Sequence, residues 1–243
     1  MTAFPDQLDR ALLNVFVFGP GTGEAIAVAL PGAGWLLVDG CREVVDGEEH
    51  FPALEAYERY ASGQDPVEAV VWSHPHTDHH QGIIEAIDRY SPRRVGFTCL
   101  EAPEPNSAQL EAEALGSHPN LPRDLKLQES FGLVRSTFER IFSFWREHPE
   151  SRWLLSSASE PLEIGSVRVR ACAPDLAALR ALFNCPTEKL SGELSKRANE
   201  FSVVLDLQFG EAHVALGGDL IHRRGKAVLS HGWTKALAVE PEL

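Results

Sequence analysis

A histidine-rich segment between two strand-like runs places the strongest constraint on how this chain can fold. Four of the ten histidines lie within residues 74–80, together with one aspartate. The apolar run Val67–Trp72 precedes them and predicts a buried strand, whereas Gly82–Tyr90 predicts a helix and Val95–Thr98 a further strand. Strand, loop, helix and strand in this order indicate a βαβ unit with the histidines on its first loop.

The residue types and their spacing in this loop predict a metal site. Imidazole and carboxylate groups suit zinc, manganese or iron. His74 and His76 lie two residues apart, so in an extended segment both point the same way and can bind one ion. Asp78 and His79 lie where the chain turns into the helix and can face a second ion. A merely solvated polar loop would not explain four histidines directly after a buried strand.

A site for two ions needs further ligands, and Asp219 is the best candidate elsewhere in the chain. It follows Gly217-Gly218 after a predicted hairpin formed by Phe201–Gln208 and His213–Leu216. Glycines at the end of a strand permit a close approach of the backbone. We therefore expect Asp219 to bridge the two ions.

The remaining pattern predicts a single domain over residues 1–243. Leu12–Phe18, Ala25–Leu30 and Trp35–Val38 predict an antiparallel meander of strands. Apolar residues at intervals of three and four predict an amphipathic helix at about 128–147, which we expect to form a lid or a partner surface. Since neither a repeat nor a linker divides the chain, we interpret residues of about 101–160 as a helical insertion.

Composition and charge exclude several classes of protein. The net charge of −13 argues against a broad basic face that would hold a nucleic acid duplex. No apolar run approaches the roughly 18–20 residues of a membrane span, so we expect no membrane association. The sequence shows no export signal and no C-x-x-C pair, which predicts a cytoplasmic protein with reduced thiols. The cysteines are Cys41, Cys99, Cys172 and Cys185.

The histidine segment also carries a resemblance to a known family. His74-Pro75-His76-Thr77-Asp78-His79-His80-Gln81-Gly82 resembles the H-x-H-x-D-H-x-x-G signature of the metallo-β-lactamase fold superfamily. The strands ending at Leu37-Val38-Asp39-Gly40 resemble the opening meander of that fold. Residues 199–205, followed by Leu216-Gly217-Gly218-Asp219, resemble the branch that includes the metallo-hydrolase domain of bacterial competence DNA-uptake channels.

This resemblance, which runs from about Leu12 to Asp219, implies a fold and a ligand set. The fold would be α/β, an αββα four-layer sandwich with two divalent ions, zinc or manganese, at one edge. His74 and His76 would bind the first ion, Asp78 and His79 the second, and Asp219 both. Asp39 would orient the histidine loop.

Two departures from the family pattern concern the ligands. Asn199 stands where most members have a histidine, and asparagine is a poor ligand for zinc. A final histidine is also expected after Asp219, which leaves two alternatives. Either His231 supplies it, or the chain lacks its C-terminal strand, helix and last ligand. The second alternative would leave an uncovered sheet edge that invites a homodimer or a partner chain.

The resemblance implies a metal-dependent hydrolase. We expect a phosphodiesterase or nuclease that uses a metal-activated hydroxide, with Asp78 as ligand and proton acceptor and a nucleic acid or nucleotide as substrate. One alternative is hydrolysis of a small ester, lactone, thioester or amide, because a fold does not determine the substrate. Another is a metal-poor binding or regulatory subunit without catalytic activity.

Overall fold

The computed structural model describes residues 4–19, 23–98, 125–177, 179 and 198–220. It is a mixed α/β structure with more strands than helices. The strands are β1 Asn14–Phe18, β2 Ala25–Ala29, β3 Trp35–Val38, β4 Glu43–Val45, β5 Glu48–His50, β6 Val67–Trp72, β7 Arg94–Phe97, β8 Arg152–Leu154, β9 Leu162–Ile164, β10 Val167–Ala173, β11 Val204–Phe209 and β12 Ala212–Leu216. The helices are α1 Pro52–Tyr60, α2 Ile83–Tyr90 and α3 Leu125–Glu147, with short 3-10 helices at Pro149–Ser151 and Ala198–Phe201.

The first sheet has six strands in the order β1-β2-β3-β6-β7-β8. Strand β2 is antiparallel to both β1 and β3, which confirms the predicted meander. Strands β3, β6, β7 and β8 are parallel to one another, and α2 lies between β6 and β7 in the chain, which confirms the predicted βαβ unit. Strands β4 and β5 form a separate hairpin that the sequence pattern did not predict.

The second sheet has four antiparallel strands in the order β12-β11-β10-β9. One face of each sheet packs against the other, because alternate residues of each strand are apolar and point inward. Val28, Leu36 and Val71 of the first sheet are fully buried in the same cluster as Val169 and Leu207 of the second. The two sheets therefore share a hydrophobic core.

The other face of the first sheet is covered by helices, and α3 belongs to the second hydrophobic core, which lies between these helices and the first sheet. The Phe138 ring lies 4.8 Å from the Trp72 ring and 5.1 Å from the Phe97 ring, measured between centroids. Trp145 Nε1 donates a hydrogen bond of 3.0 Å to the Val95 carbonyl oxygen. The expectation of a lid or partner surface is therefore wrong for this part of α3, because its aromatic stripe is buried against β6 and β7.

The described residues form three layers, namely helices, the first sheet and the second sheet. The outward side chains of the second sheet include the polar residues Arg168, Arg170 and Asp206, and Arg170 forms an ion pair with Asp206. Strand β8 extends the first sheet, although it lies in the predicted insertion of residues 101–160. The single domain and the insertion stay predictions, since residues 101–124 lie outside the described part of the chain.

Several other predictions concern residues outside the described ranges. These are Cys99, Cys185, His231, and the alternatives for the C-terminal strand and helix. In the part of the chain that is described, no helix has the length and apolar character needed to cross a membrane.

Strand directions bring three chain segments to one edge of the molecule. Because β3 and β6 are parallel, Asp39 and Ser73 emerge side by side where these strands end. The Val203 amide donates a hydrogen bond of 2.9 Å to the Ser73 carbonyl oxygen, which joins the start of β11 to the same edge. Strand β12 is antiparallel to β11 and therefore ends there, so Asp219 arrives beside the histidine loop.

Candidate metal centre

Side chains from two of these segments converge into a group that could hold a metal ion. His74, His76 and His79 come from the loop after β6, and Asp219 comes from the residues after β12. One ligand atom from each of the four lies within 4.8 Å of all the others. His74 and His79 are buried, whereas the side chains of His76 and Asp219 are 42% and 40% exposed. The group is therefore anchored in the protein and open to solvent on one side.

The hydrogen bonds of His74 determine which ring nitrogen is free. Ser73 Oγ lies 2.5 Å from Asp39 Oδ2 and 2.9 Å from His74 Nδ1. Since a carboxylate only accepts, Ser73 donates its one hydroxyl proton to Asp39 and accepts a hydrogen bond from His74 Nδ1–H. The lone pair of His74 is consequently on Nε2.

This Nε2 atom is the best structural test of whether a metal fits the site. It is buried and has no hydrogen-bond partner among the described residues. Burial, with smaller contributions from the charges of His79 and His76, lowers the pKa of His74 to about 2, so the ring is neutral near pH 7. A buried lone pair without a partner, in a group with two further imidazoles and a carboxylate, is the donor set expected for a bound cation.

In its neutral form, His79 also has its proton on Nδ1 and its lone pair on Nε2, through a direct contact with Asp39. Its Nδ1 lies 2.9 Å from Asp39 Oδ2, and both side chains are buried. Its Nε2 faces Asp219 Oδ2 at 3.4 Å and Asp78 Oδ1 at 3.8 Å. Burial lowers the pKa of His79, but the hydrogen bond and charge of Asp39, together with Asp78 and Asp219, raise it to about 9. Without a metal, a proton on Nε2 occupies the position between these carboxylates.

Metal binding at pH 7 is therefore expected to release about one proton per ion from His79. The pKa of about 9 means that His79 is protonated at pH 7, and a ligand nitrogen must be neutral. Affinity should rise by about tenfold per pH unit between pH 7 and 8. Calorimetric titration in buffers of different ionisation enthalpy measures the proton release. The Asp39→Asn variant, which lacks the charge that raises the pKa, should release less, and buffer-independent heat for the wild type would contradict the prediction.

Asp39 is the residue that orients the histidine loop. It has a φ of 57°, a left-handed conformation, and its amide donates a hydrogen bond of 2.8 Å to the Val71 carbonyl oxygen. Its Oδ1 accepts from the Ser73 amide at 2.6 Å, while Oδ2 accepts from Ser73 Oγ and His79 Nδ1. One buried carboxylate thus sets the tautomers of two candidate ligands, which matches the role expected for Asp39 from the sequence.

There is no space for a side chain at position 218, where the chain has a glycine. A Cβ atom there would lie 2.5 Å from Ser202 Oγ and 3.1 Å from Ser73 Oγ, and the φ of 46° is one that favours glycine. The glycine therefore allows the segment after β12 to approach the histidine loop closely enough for Asp219 to join it.

Asp78 lies beside the ligand group and is not among its four members. Its Oδ1 contacts His76 Nδ1, and its side chain is 31% exposed. Asp78 Oδ1 also lies 3.8 Å from His79 Nε2, and the division into one pair of His74 with His76 and another of Asp78 with His79 stays a prediction. The His79 amide donates a turn hydrogen bond of 3.3 Å to the His76 carbonyl oxygen, which brings His79 back to the other two histidines.

Three further residues contribute to this edge. Asn199 Nδ2 donates a hydrogen bond of 3.3 Å to Asp219 Oδ2, so Asn199 contacts a candidate ligand. Sequence reasoning missed Ser73, for which the signal was a hydroxyl directly before His74. It also missed Glu24, whose charge acts on Asp39, His79 and Asp219.

A search of protein-family models and of curated proteins returned no match to this chain. The chemistry of the site and the histidine signature are therefore the indications of its function.

Proposed function

We propose that this protein is a metal-dependent hydrolase that cleaves phosphodiester bonds, with the αββα fold of the metallo-β-lactamase superfamily. The observation that carries the proposal is the buried, unpartnered Nε2 of His74 beside His76, His79 and Asp219. A group of this kind at the open edge of two packed sheets is typical of a reactive site rather than of a structural one. The sequence signature supports the same conclusion.

His74, His76, His79 and Asp219 would hold the metal, and we propose two divalent ions, zinc or manganese. Imidazole-rich sites with a carboxylate favour these metals. When bound, such ions polarise a phosphoryl oxygen and lower the pKa of water.

Asp78 is the residue proposed to accept a proton during hydrolysis. Its carboxylate is partly exposed at the rim, where substrate and water can reach it, and it lies 3.8 Å from His79 Nε2. The contact with His76 Nδ1 fixes the orientation of the Asp78 carboxylate. Asp39 and Ser73 lie beneath the ligands and orient them, so neither would touch the substrate.

The proposed substrate is a nucleotide or a nucleic acid, for which the resemblance to the competence branch is the support. The net charge of −13 disfavours tight binding of a duplex along a broad face. Recognition of the phosphodiester would therefore depend on the cations at the site, and it should weaken when they are removed.

The test is an assay of bis(p-nitrophenyl) phosphate hydrolysis with manganese or zinc, run beside a lactone and nitrocefin. We expect diester hydrolysis that disappears on treatment with a chelator and returns when metal is added. Hydrolysis of the lactone or nitrocefin alone would instead support the small-substrate alternative. A purified protein that binds metal and cleaves none of these compounds would contradict the proposed activity, and one that binds no metal would support a binding or regulatory subunit.

A further inference from the structure

Glu24 lies at the same sheet edge as the metal centre because of the register of β2 and β3. These antiparallel strands pair Ile26 with Val38, and the same register continued places Glu24 opposite Gly40. Gly40 forms an isolated parallel bridge with His80 in the histidine loop. The residue before β2 therefore reaches the loop that carries three of the four candidate ligands.

The connection between β1 and β2 also packs directly on this loop. A Cβ atom on Gly23 would lie 1.9 Å from the Asp78 carbonyl oxygen and 3.0 Å from Asp78 Cβ. Gly23 also has a φ of 78°, a backbone conformation that favours glycine. Both the lack of space and the backbone conformation therefore require glycine at this position. Since Glu24 is the next residue, its backbone is held beside Asp78.

The carboxylate of Glu24 has His79 as the one opposite charge among the residues that act on its pKa, beside the carboxylates of Asp39 and Asp219. The side chain is half-buried, and no hydrogen bond or ion pair links it to another residue in the described ranges. Burial and the charge of Asp39 raise the pKa of Glu24, His79 opposes this effect and Asp219 adds to it. A half-buried carboxylate among other carboxylates is unfavourable unless a cation is bound nearby.

An independent observation points to that cation. His74 has no solvent-exposed surface, and its Nε2, which carries the lone pair, has no partner among the described residues. Glu24 is not part of the four-residue ligand group, so it would act on the cation through its charge rather than as a ligand.

We propose that Glu24 belongs to the surroundings of the metal centre and that its negative charge strengthens the binding of divalent cations. The cations would bind at the site formed by His74, His76, His79 and Asp219. This inference rests on the metal centre of the proposed function and does not depend on which bond is hydrolysed.

The test measures metal affinity without substrate, by competition of the purified full chain with a chromogenic chelator for zinc or manganese. Glu24→Gln should weaken metal binding by roughly three- to tenfold, because one negative charge near the cation is lost. Glu24→Asp, which keeps the charge, should stay within about twofold of the wild type. Glu211→Gln is the matched control, since Glu211 is exposed in the turn between β11 and β12, at the opposite end of β12 from Asp219.

Equal affinity of the wild type and Glu24→Gln would overturn the inference, as would an equal loss in Glu211→Gln. Circular dichroism and thermal melting of the metal-free variants establish that each is folded. A protein that binds metal with the expected differences but cleaves no phosphodiester would contradict the proposed function and leave the assignment of Glu24 supported. A wild type without metal affinity would overturn both.

Discussion

Replacing His74 and His76 together by alanine should abolish metal binding while the protein remains folded. The two histidines are half of the ligand group, and His74 contributes the buried Nε2 that has no other partner among the described residues. Loss of two ligands should reduce affinity by more than the roughly 100-fold that is typical for loss of a single outer-sphere partner. Elemental analysis of the purified variant and chelator competition measure the effect.

The fold should survive this double substitution because the core between the two sheets lies elsewhere. That core is built from buried apolar residues such as Val28, Leu36 and Leu207, and a core of this size does not require a metal. The double variant His148→Ala with His213→Ala is the control, since both histidines are largely exposed and outside the ligand group. Equal metal content in the wild type and in His74→Ala with His76→Ala would contradict the proposed site.

The substitution Asp78→Ala should remove hydrolysis while most of the metal affinity remains. Asp78 is the proposed proton acceptor, and general-base catalysis is commonly worth at least about 100-fold in kcat. Because the structure places Asp78 beside the ligand group and not within it, metal affinity should fall by less than about tenfold. Steady-state kinetics with bis(p-nitrophenyl) phosphate and metal titration of the same preparation separate the two effects.

Two further variants sharpen the interpretation of Asp78. Asp78→Asn keeps the size and the contact with His76 but accepts no proton, so it should lose activity like Asp78→Ala. Asp6→Ala removes an exposed carboxylate elsewhere and should leave kcat unchanged. Activity of both Asp78 variants within about threefold of the wild type would show that the proton acceptor is another group. Loss of metal in parallel with activity would assign Asp78 to the ligands, as the sequence predicted.

Local sequence patterns were sufficient to predict the strand and the helix that flank the histidine loop. Strand β6 has the predicted bounds, Val67–Trp72, because the run is apolar except for Glu68, is buried throughout and ends at the polar Ser73. Helix α2 begins one residue after its predicted start, at Ile83, and ends at Tyr90 as predicted. The short strands β8 and β9 were missed, because three residues carry too little periodicity to be recognised without their partners.

The amphipathic pattern of α3 was correct and its assignment as a lid was wrong. Periodicity shows which face of a helix is apolar, but it does not show what covers that face. In the structure, the stripe that includes Phe138 and Trp145 packs on β6 and β7 and belongs to the main core.

The sequence by itself determined three of the four members of the ligand group, since His74, His76 and His79 are neighbours in the chain and their spacing is a local property. It also singled out Asp219 as a partner, but the contact depends on how the second sheet packs against the first. Only the tertiary structure shows that one ligand atom each of His74, His76, His79 and Asp219 lie close together, with Asp78 beside them. It likewise decided the tautomers, through Asp39, and the position of Glu24, through the register of β2 and β3. The tautomers follow from the contacts of Asp39 with Ser73 and His79, which lie 34 and 40 residues further along the chain, so a single sequence carries no local signal for them.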